Sequence, residues 1–155
     1  MKYRLLTTEE LEFFEDELKQ FLIVNGFHDK EWREINKTDK SKAKSLVGVF
    51  SDTILQKVYQ KIEYIEHRSE TSFLIFKFNK EKINLISLNR KSGKQVNFST
   101  PELIQKSIVK YSHQITYFKK EKSYTKEREM EIHEMIEGGC VNSTKEFWEL
   151  LSKSI

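Results

Sequence analysis

Apolar residues first recur at helical spacing close to the N-terminus. Thr7 and Glu10 have the spacing of a capping box, in which each side chain bonds the backbone N–H of the other residue. Apolar positions then follow at steps of three and four from Leu11 to Leu22, and Gly26 stands where a C-terminal cap belongs. This pattern predicts one amphipathic helix over residues 8–25.

The next segment alternates between short polar stretches and a second helical stripe. Asp29 is expected to cap a short helix that carries Trp32. Residues 37–45 are polar and rich in lysine, which indicates a loop or a fraying helix start. Apolar residues then recur every four positions over 46–62, and they predict a long helix over about 41–60.

The hydrophobic period changes to that of strands in the middle of the chain. Residues 72–78 and 83–88 are strand-like, and the four polar residues between them suit a hairpin loop. Residues 64–67 and 113–118 are expected to add two more strands. Val96 and Phe98 are expected to continue the sheet.

Helices return towards the C-terminus. Thr100 and Pro101 fit the N-cap and first position of a helix. Two more helices are predicted over about 125–137 and 143–153, the second opening with a capping box at Ser143. These elements predict an α+β fold, with a small antiparallel sheet of three to five strands in the middle of the chain packed against N-terminal and C-terminal helices. The length of 155 residues predicts a single domain over 1–155.

Composition narrows the class of protein. The single cysteine excludes a disulfide framework and a cysteine-rich metal site. The longest uninterrupted apolar runs have four residues, so no membrane insertion is expected. The first residues lack the apolar region of a signal peptide. Together these features lead us to expect a cytoplasmic protein.

The net charge of +3 hides an uneven distribution. Residues 37–126 hold 19 Lys and Arg against 8 Asp and Glu, whereas residues 1–36 and 127–155 each have a net charge of −4. A basic middle between acidic ends indicates either internal complementarity or a basic surface offered to a polyanion. Of the 27 basic residues, 22 are lysine, which disfavours sequence-specific nucleic-acid recognition because arginine supplies its bidentate contacts.

Three basic clusters are candidate polyanion-binding sites. Their members are Lys40, Lys42 and Lys44, then Arg90, Lys91 and Lys94, then Lys119, Lys120 and Lys122. The third cluster follows the aromatic residues Tyr117 and Phe118, and such combinations bind single-stranded nucleic acids by stacking and phosphate attraction. An ordinary solvated surface is the alternative interpretation.

Two tryptophans, Trp32 and Trp148, lie on short predicted helices near acidic residues. Tryptophan is enriched among the residues that anchor protein partners, so both are candidate partner-binding residues. Burial within their own domain is the alternative.

Motifs that usually accompany catalysis are missing from the sequence. It contains no glycine-rich phosphate loop, no GxSxG elbow and no HExxH helix. Cys140, seven residues beyond His133, is interpreted as a small buried hydrophobe rather than as a nucleophile. His133 shares a helical face with two glutamates, and a charged solvated face is the favoured interpretation. We therefore expect no catalytic residue, no metal and no cofactor.

A second acid–histidine cluster comprises Glu63, Glu66 and His67. On a strand, neighbouring residues point to opposite faces, so Glu66 and His67 are not expected to bind one metal ion together.

Several segments resemble a family of short, uncharacterised bacterial proteins with a domain of unknown function. They are MKYRLLTTEEL at the N-terminus, VFSDTILQKV (49–58), KIEYIEH (61–67), SFLIFKF (72–78) and the tail from Lys122 through EMIEGGCV. The resemblance covers most of the chain and implies one domain. It implies no activity, cofactor or functional residue.

These observations lead us to expect a non-catalytic binding or adaptor protein that engages a partner protein or assembly. An RNA- or ribosome-associated protein that uses the basic middle segment is the alternative, and a small enzyme without a recognisable motif is a second one. The sequence leaves the oligomeric state open.

Overall fold

A computed structural model of the chain describes residues 1–154. The helices are α1 (Thr8–Phe13), α2 (Glu15–Val24), α3 (Asp29–Thr38), α4 (Lys40–Lys61), α5 (Pro101–Lys110), α6 (Arg128–Glu137) and α7 (Lys145–Ser154). The strands are β1 (Tyr64–Arg68), β2 (Ser72–Phe78), β3 (Lys82–Arg90), β4 (Ile115–Ser123) and β5 (Val141–Asn142). A short 3-10 turn, Ser112–Gln114, precedes β4.

The α+β class is confirmed. The five strands form one sheet in the order β4-β3-β2-β1-β5, and every neighbouring pair is antiparallel. In the chain, helices precede this sheet and helices follow it. The residues divide into two compact units, Met1–Val58 and Tyr59–Ile155. The single domain over 1–155 stays a prediction.

The first unit holds its N-terminal segment against the helical residues of α4. The backbone N–H of Tyr3 donates to Asp52 Oδ1 at 2.8 Å, and the N–H of Leu6 donates to the Ser51 hydroxyl at 3.0 Å. The capping box at Thr7 and Glu10 is present, with both reciprocal bonds formed. The N-terminal segment is therefore held by hydrogen bonds to side chains of α4 and not by pairing with a strand.

One core cluster of the second unit lies on one face of the sheet. Phe73 lies opposite Leu88 and Ile75 opposite Ile86 in the β2–β3 register, and all four side chains are buried. Other apolar residues join this core from α5, the loop before it, β4 and α7; they are Ile104, Val96, Phe98, Ile115 and Leu151. The rings of Phe73 and Phe147 lie 5.4 Å apart edge to face, which places α7 on this face.

Several predicted boundaries differ from the structure. The helix predicted over 8–25 is interrupted at Phe14, whose φ of −99° and ψ of 27° end α1 before α2 begins. Val96 and Phe98 are fully buried but lie outside any strand. The final helix is capped by Thr144, which accepts the N–H of Phe147 at 3.1 Å, and not by Ser143.

The largest difference concerns β4. The predicted strand ended at Phe118, whereas β4 continues to Ser123 through the lysine cluster. A lysine-rich segment has no apolar alternation to mark it as a strand. Its backbone pairs with β3 over all nine residues of β4, and this ladder needs no buried side chains on the strand itself.

Candidate functional site

The edge strand β4 is exposed along almost its whole length. It pairs with β3 on one side and with no other strand among residues 1–154. Every side chain from Thr116 to Ser123 is exposed, including Tyr117 at 46% and Phe118 at 50%. Long exposed edge strands are templates for pairing with another chain, and proteins commonly guard them with lysine. The lysines of β4 therefore lie on an exposed edge of the sheet.

The β3–β4 register assigns the β4 side chains to two faces. Lys119 lies opposite Ile86 and Tyr117 opposite Leu88, on the same face as the core described above. Lys120 and Lys122 lie opposite Leu85 and Ile83 on the other face. The third lysine cluster thus places positive charge on both sides of the edge.

A groove of about 490 Å³ lies beside this edge. Its lining comes from β3, β4 and α7: Asn84, Leu85, Ile86, Lys119, Lys120, Glu121, Trp148 and Ser152. Trp148 is partly buried against the core, and its ring centroid lies 6.2 Å from that of Tyr64. The structure therefore brings together Trp148 and two of the predicted polyanion-binding lysines, Lys119 and Lys120.

The charges along β4 are unbalanced. Its one acidic residue, Glu121, is bound by Lys82 of β3 at 2.6 Å, and the hydrogen bond to Glu121 raises the pKa of Lys82. Lys119, Lys120 and Lys122 form no ion pair with any carboxylate in residues 1–154. Three positive charges consequently face solvent without a compensating anion.

The second predicted cluster lies at the other end of the same strand pair. Arg90 ends β3 opposite Ile115, four residues along β4 from Lys119, a distance of about 13 Å. Lys91 and Lys94 are in the loop after β3, and the Lys91 N–H donates to the Gln114 carbonyl at 2.7 Å. These three residues are exposed but do not line the groove.

The remaining predicted residues belong to the first unit. Lys40, Lys42 and Lys44, which were predicted in a loop or a fraying helix start, occupy the first turns of α4. The ammonium group of Lys42 lies 5.6 Å from the centroid of the Phe27 ring. Trp32, on α3, is partly buried and lines a cavity of about 610 Å³ together with α2 and the residues before α3.

Buried polar groups in the second unit contradict one interpretation. His133 was expected on a solvated face, but it is buried, and its Nδ1 lies 2.8 Å from the Tyr59 hydroxyl. The helical pattern alone could not show this because the partner lies 74 positions away. Glu66 is also buried and accepts a bond from Arg68 Nε at 2.7 Å, while His67 is exposed, as the strand alternation predicts.

The environment of Cys140 does not favour a nucleophile. Burial raises the pKa of the Cys140 thiol, which disfavours the reactive thiolate. In the part of the chain that the structure describes, no three His, Cys, Asp or Glu residues are grouped to hold a metal ion. None of the helices within residues 1–154 has the length and apolarity that crossing a membrane requires.

Sequence reasoning found the lysines but missed the feature that unites them, which is the open backbone edge of β4. The available signal was the aromatic pair Tyr117 and Phe118 followed directly by lysines at strand spacing. The groove was not predictable, because Trp148 and Ile86 are brought together only by the packing of α7 on the sheet.

The fold and this surface define an α+β protein with an exposed, basic edge strand. A family model, described as a family of unknown function (DUF6495), matches residues 1–155. The chain belongs to this family. No curated protein and no solved structure matches it.

Proposed function

We propose that this protein is a non-catalytic cytoplasmic binding or adaptor protein that engages a partner protein through the surface formed by β4 and the adjacent groove. The observation that carries the proposal is the exposed nine-residue edge strand with three uncompensated lysines. A single cysteine, left as a thiol, suits the reducing cytoplasm.

A protein partner is favoured over RNA by the arrangement of the aromatic residues. Tyr117 and Phe118 are adjacent on a strand, so their rings project to opposite faces and do not form one stacking platform. The groove next to Lys119 contains Trp148 and Ile86, which suits an apolar side chain of a protein. RNA association through the basic middle segment is the competing outcome.

The test compares capture of partners from a native lysate by the wild type and by a charge-reversed variant, Lys119→Glu/Lys120→Glu/Lys122→Glu. The matched control is Lys80→Glu/Lys106→Glu/Lys110→Glu, which has the same change in net charge at exposed lysines outside β4. We expect wild type and control to retain the same proteins, and the β4 variant to lose them at least tenfold.

Two outcomes contradict the proposal. Equal loss in both variants means that only bulk charge matters. Loss of capture after ribonuclease treatment supports RNA association instead of a protein partner.

A further inference from the structure

The backbone of β4 presents hydrogen-bonding groups to solvent at alternate residues. The Lys91 N–H donates to the Gln114 carbonyl, so residues 91 and 114 form a hydrogen-bonded pair of the antiparallel ladder. This pair determines which other residues of β3 and β4 are hydrogen-bonded to each other. In an antiparallel ladder these pairs alternate, so the N–H and C=O groups of residues 116, 118, 120 and 122 point to β3. The same groups of Tyr117, Lys119 and Glu121 point away from the sheet.

Resting on the proposed function, we propose that the partner supplies an extended acidic segment that adds to β4 as a sixth strand. Strand addition uses main-chain hydrogen bonds for affinity and alternate side chains for specificity. Tyr117, Lys119 and Glu121 supply six outward-pointing backbone groups, three N–H and three C=O, which an added strand can pair. No strand within residues 1–154 occupies this position.

The side chains around the β4 edge determine which residue types the added segment should carry on each face. On one face, acidic residues would lie beside Lys120 and Lys122, which form no ion pair in the described chain. On the other face, apolar residues would lie beside Tyr117 and over the groove that contains Trp148. Opposite charges and aromatic–aliphatic contacts across strands are both stabilising. The expected segment therefore alternates acidic and apolar residues.

A second copy of the chain fits this edge less well. Two β4 strands that pair antiparallel about Lys119 or Lys120 place that lysine opposite its own copy. Pairing about Glu121 places Lys120 opposite Lys122. Like charges directly opposite each other are destabilising, so the registers about Lys119 and Glu121 oppose self-association, whereas the register about Lys120 also pairs Lys119 with Glu121.

The experiment uses the full chain and a blocked nine-residue peptide of alternating Glu and Val with Glu at both ends. Amide hydrogen exchange is followed by NMR at individual residues. We expect saturating peptide to slow exchange at least tenfold at Tyr117, Lys119 and Glu121. A peptide with Lys in place of every Glu should leave exchange unchanged, and so should one with Pro in place of the two central Val residues.

A pair of variants separates backbone pairing from charge. Lys119→Pro removes an outward N–H while leaving the ladder to β3 intact, and proline is tolerated on edge strands in this position. Lys119→Ala removes the same charge and keeps the N–H. We expect the proline variant to bind the Glu–Val peptide at least tenfold more weakly than the alanine variant.

Equal affinities of the two variants, or peptide binding without slowed exchange at the three amides, would overturn strand addition. Partner capture in the lysate experiment would then still support the proposed function, with recognition by side chains alone. Slowed exchange at these amides on raising the protein concentration without peptide would identify a second copy as the occupant and overturn the acidic partner.

Discussion

The hydroxyl of Tyr59 lies 2.8 Å from Nδ1 of His133, and this contact joins the C-terminal end of α4 to α6 inside the second unit. Both side chains are buried, Tyr59 to 2% exposure, and their ring centroids are 5.6 Å apart. A hydrogen bond between buried side chains stabilises a fold because breaking it leaves polar atoms without water.

We expect Tyr59→Phe to lower the free energy of unfolding by about 1 kcal/mol, since it removes the hydroxyl and keeps the ring. Urea denaturation, followed by Trp148 fluorescence in a Trp32→Phe background, measures the change in this unit. Tyr64→Phe is the matched control, because the Tyr64 hydroxyl forms no hydrogen bond in the described chain. Equal losses in the two variants would contradict a specific role for the Tyr59–His133 bond.

Arg128 makes another set of structural hydrogen bonds in this unit. Its guanidinium donates to the carbonyls of Tyr59 in the last turn of α4, of Ile62 just after that helix, and of Phe78, which ends β2. These carbonyls come from two elements and are bonded by one planar donor group. Lysine has no such fork, and its ammonium cannot reproduce the geometry.

Arg128→Lys is therefore expected to lower the free energy of unfolding by about 2 kcal/mol. The same denaturation assay measures it. Arg90→Lys, at an exposed strand end, is expected to stay within about 0.5 kcal/mol of the wild type. A small effect of Arg128→Lys would mean that water replaces the lost bonds.

The first unit has a pH-dependent contact at its N-terminal cap. The hydrogen bond from Arg4, together with bonds from Thr7, lowers the pKa of Glu10 from 4.5 to about 2. A lowered carboxyl pKa stabilises the folded state above the unfolded value, and this contribution disappears as the pH falls from about 4.5 to about 2. Because the pair is partly exposed, solvent screens it and limits its contribution.

At pH 7 we expect Glu10→Gln to be less stable than the wild type by up to about 1 kcal/mol, and the difference should close near pH 2. Urea denaturation across this range, followed by Trp32 in a Trp148→Phe background, provides the test. Glu9→Gln, in the same helical turn and without an ion pair in the described chain, serves as the control. A difference that persists at pH 2 would show that Glu10 acts mainly through packing.

Cys140 provides a test of the enzyme alternative. Burial raises the pKa of its thiol, so the thiolate is scarcer than in a free cysteine. We expect iodoacetamide to alkylate the folded protein several-fold more slowly at pH 8 than the same protein unfolded in urea. Faster alkylation of the folded protein would indicate an activated thiol and would favour a catalytic role.

Periodicity predicted the elements whose side chains face a core. The apolar stripe over 46–62 predicted a helix over about 41–60, close to the observed bounds of α4. The SFLIFKF and INLISL segments predicted β2 and β3. Prediction failed for segments whose structure depends on backbone pairing with another strand or on side-chain partners that are distant in the sequence. The predicted strand ended before the end of β4 because the lysines of β4 are exposed. His133 was predicted on a solvated face because its partner Tyr59 is remote in sequence.

The candidate site shows the same limit. The sequence identified Lys119, Lys120, Lys122 and Trp148 separately, for different reasons and with no relation between them. Their proximity depends on α7 packing over the β3–β4 pair, through Phe147 and Leu151. Charge and residue type are local properties, whereas a groove is a property of the packed sheet.

The two edges of the sheet are unequal: β5 has two residues and β4 has nine. A strand can extend the sheet at β4 over its whole length, but β5 offers almost no ladder for another. Strand addition to this chain is therefore confined to the β4 edge, and head-to-tail pairing of β4 with the β5 of another copy would rest on only two residues. Within residues 1–154 the sheet has no second long edge, so strand pairing between copies of this chain does not extend into fibres.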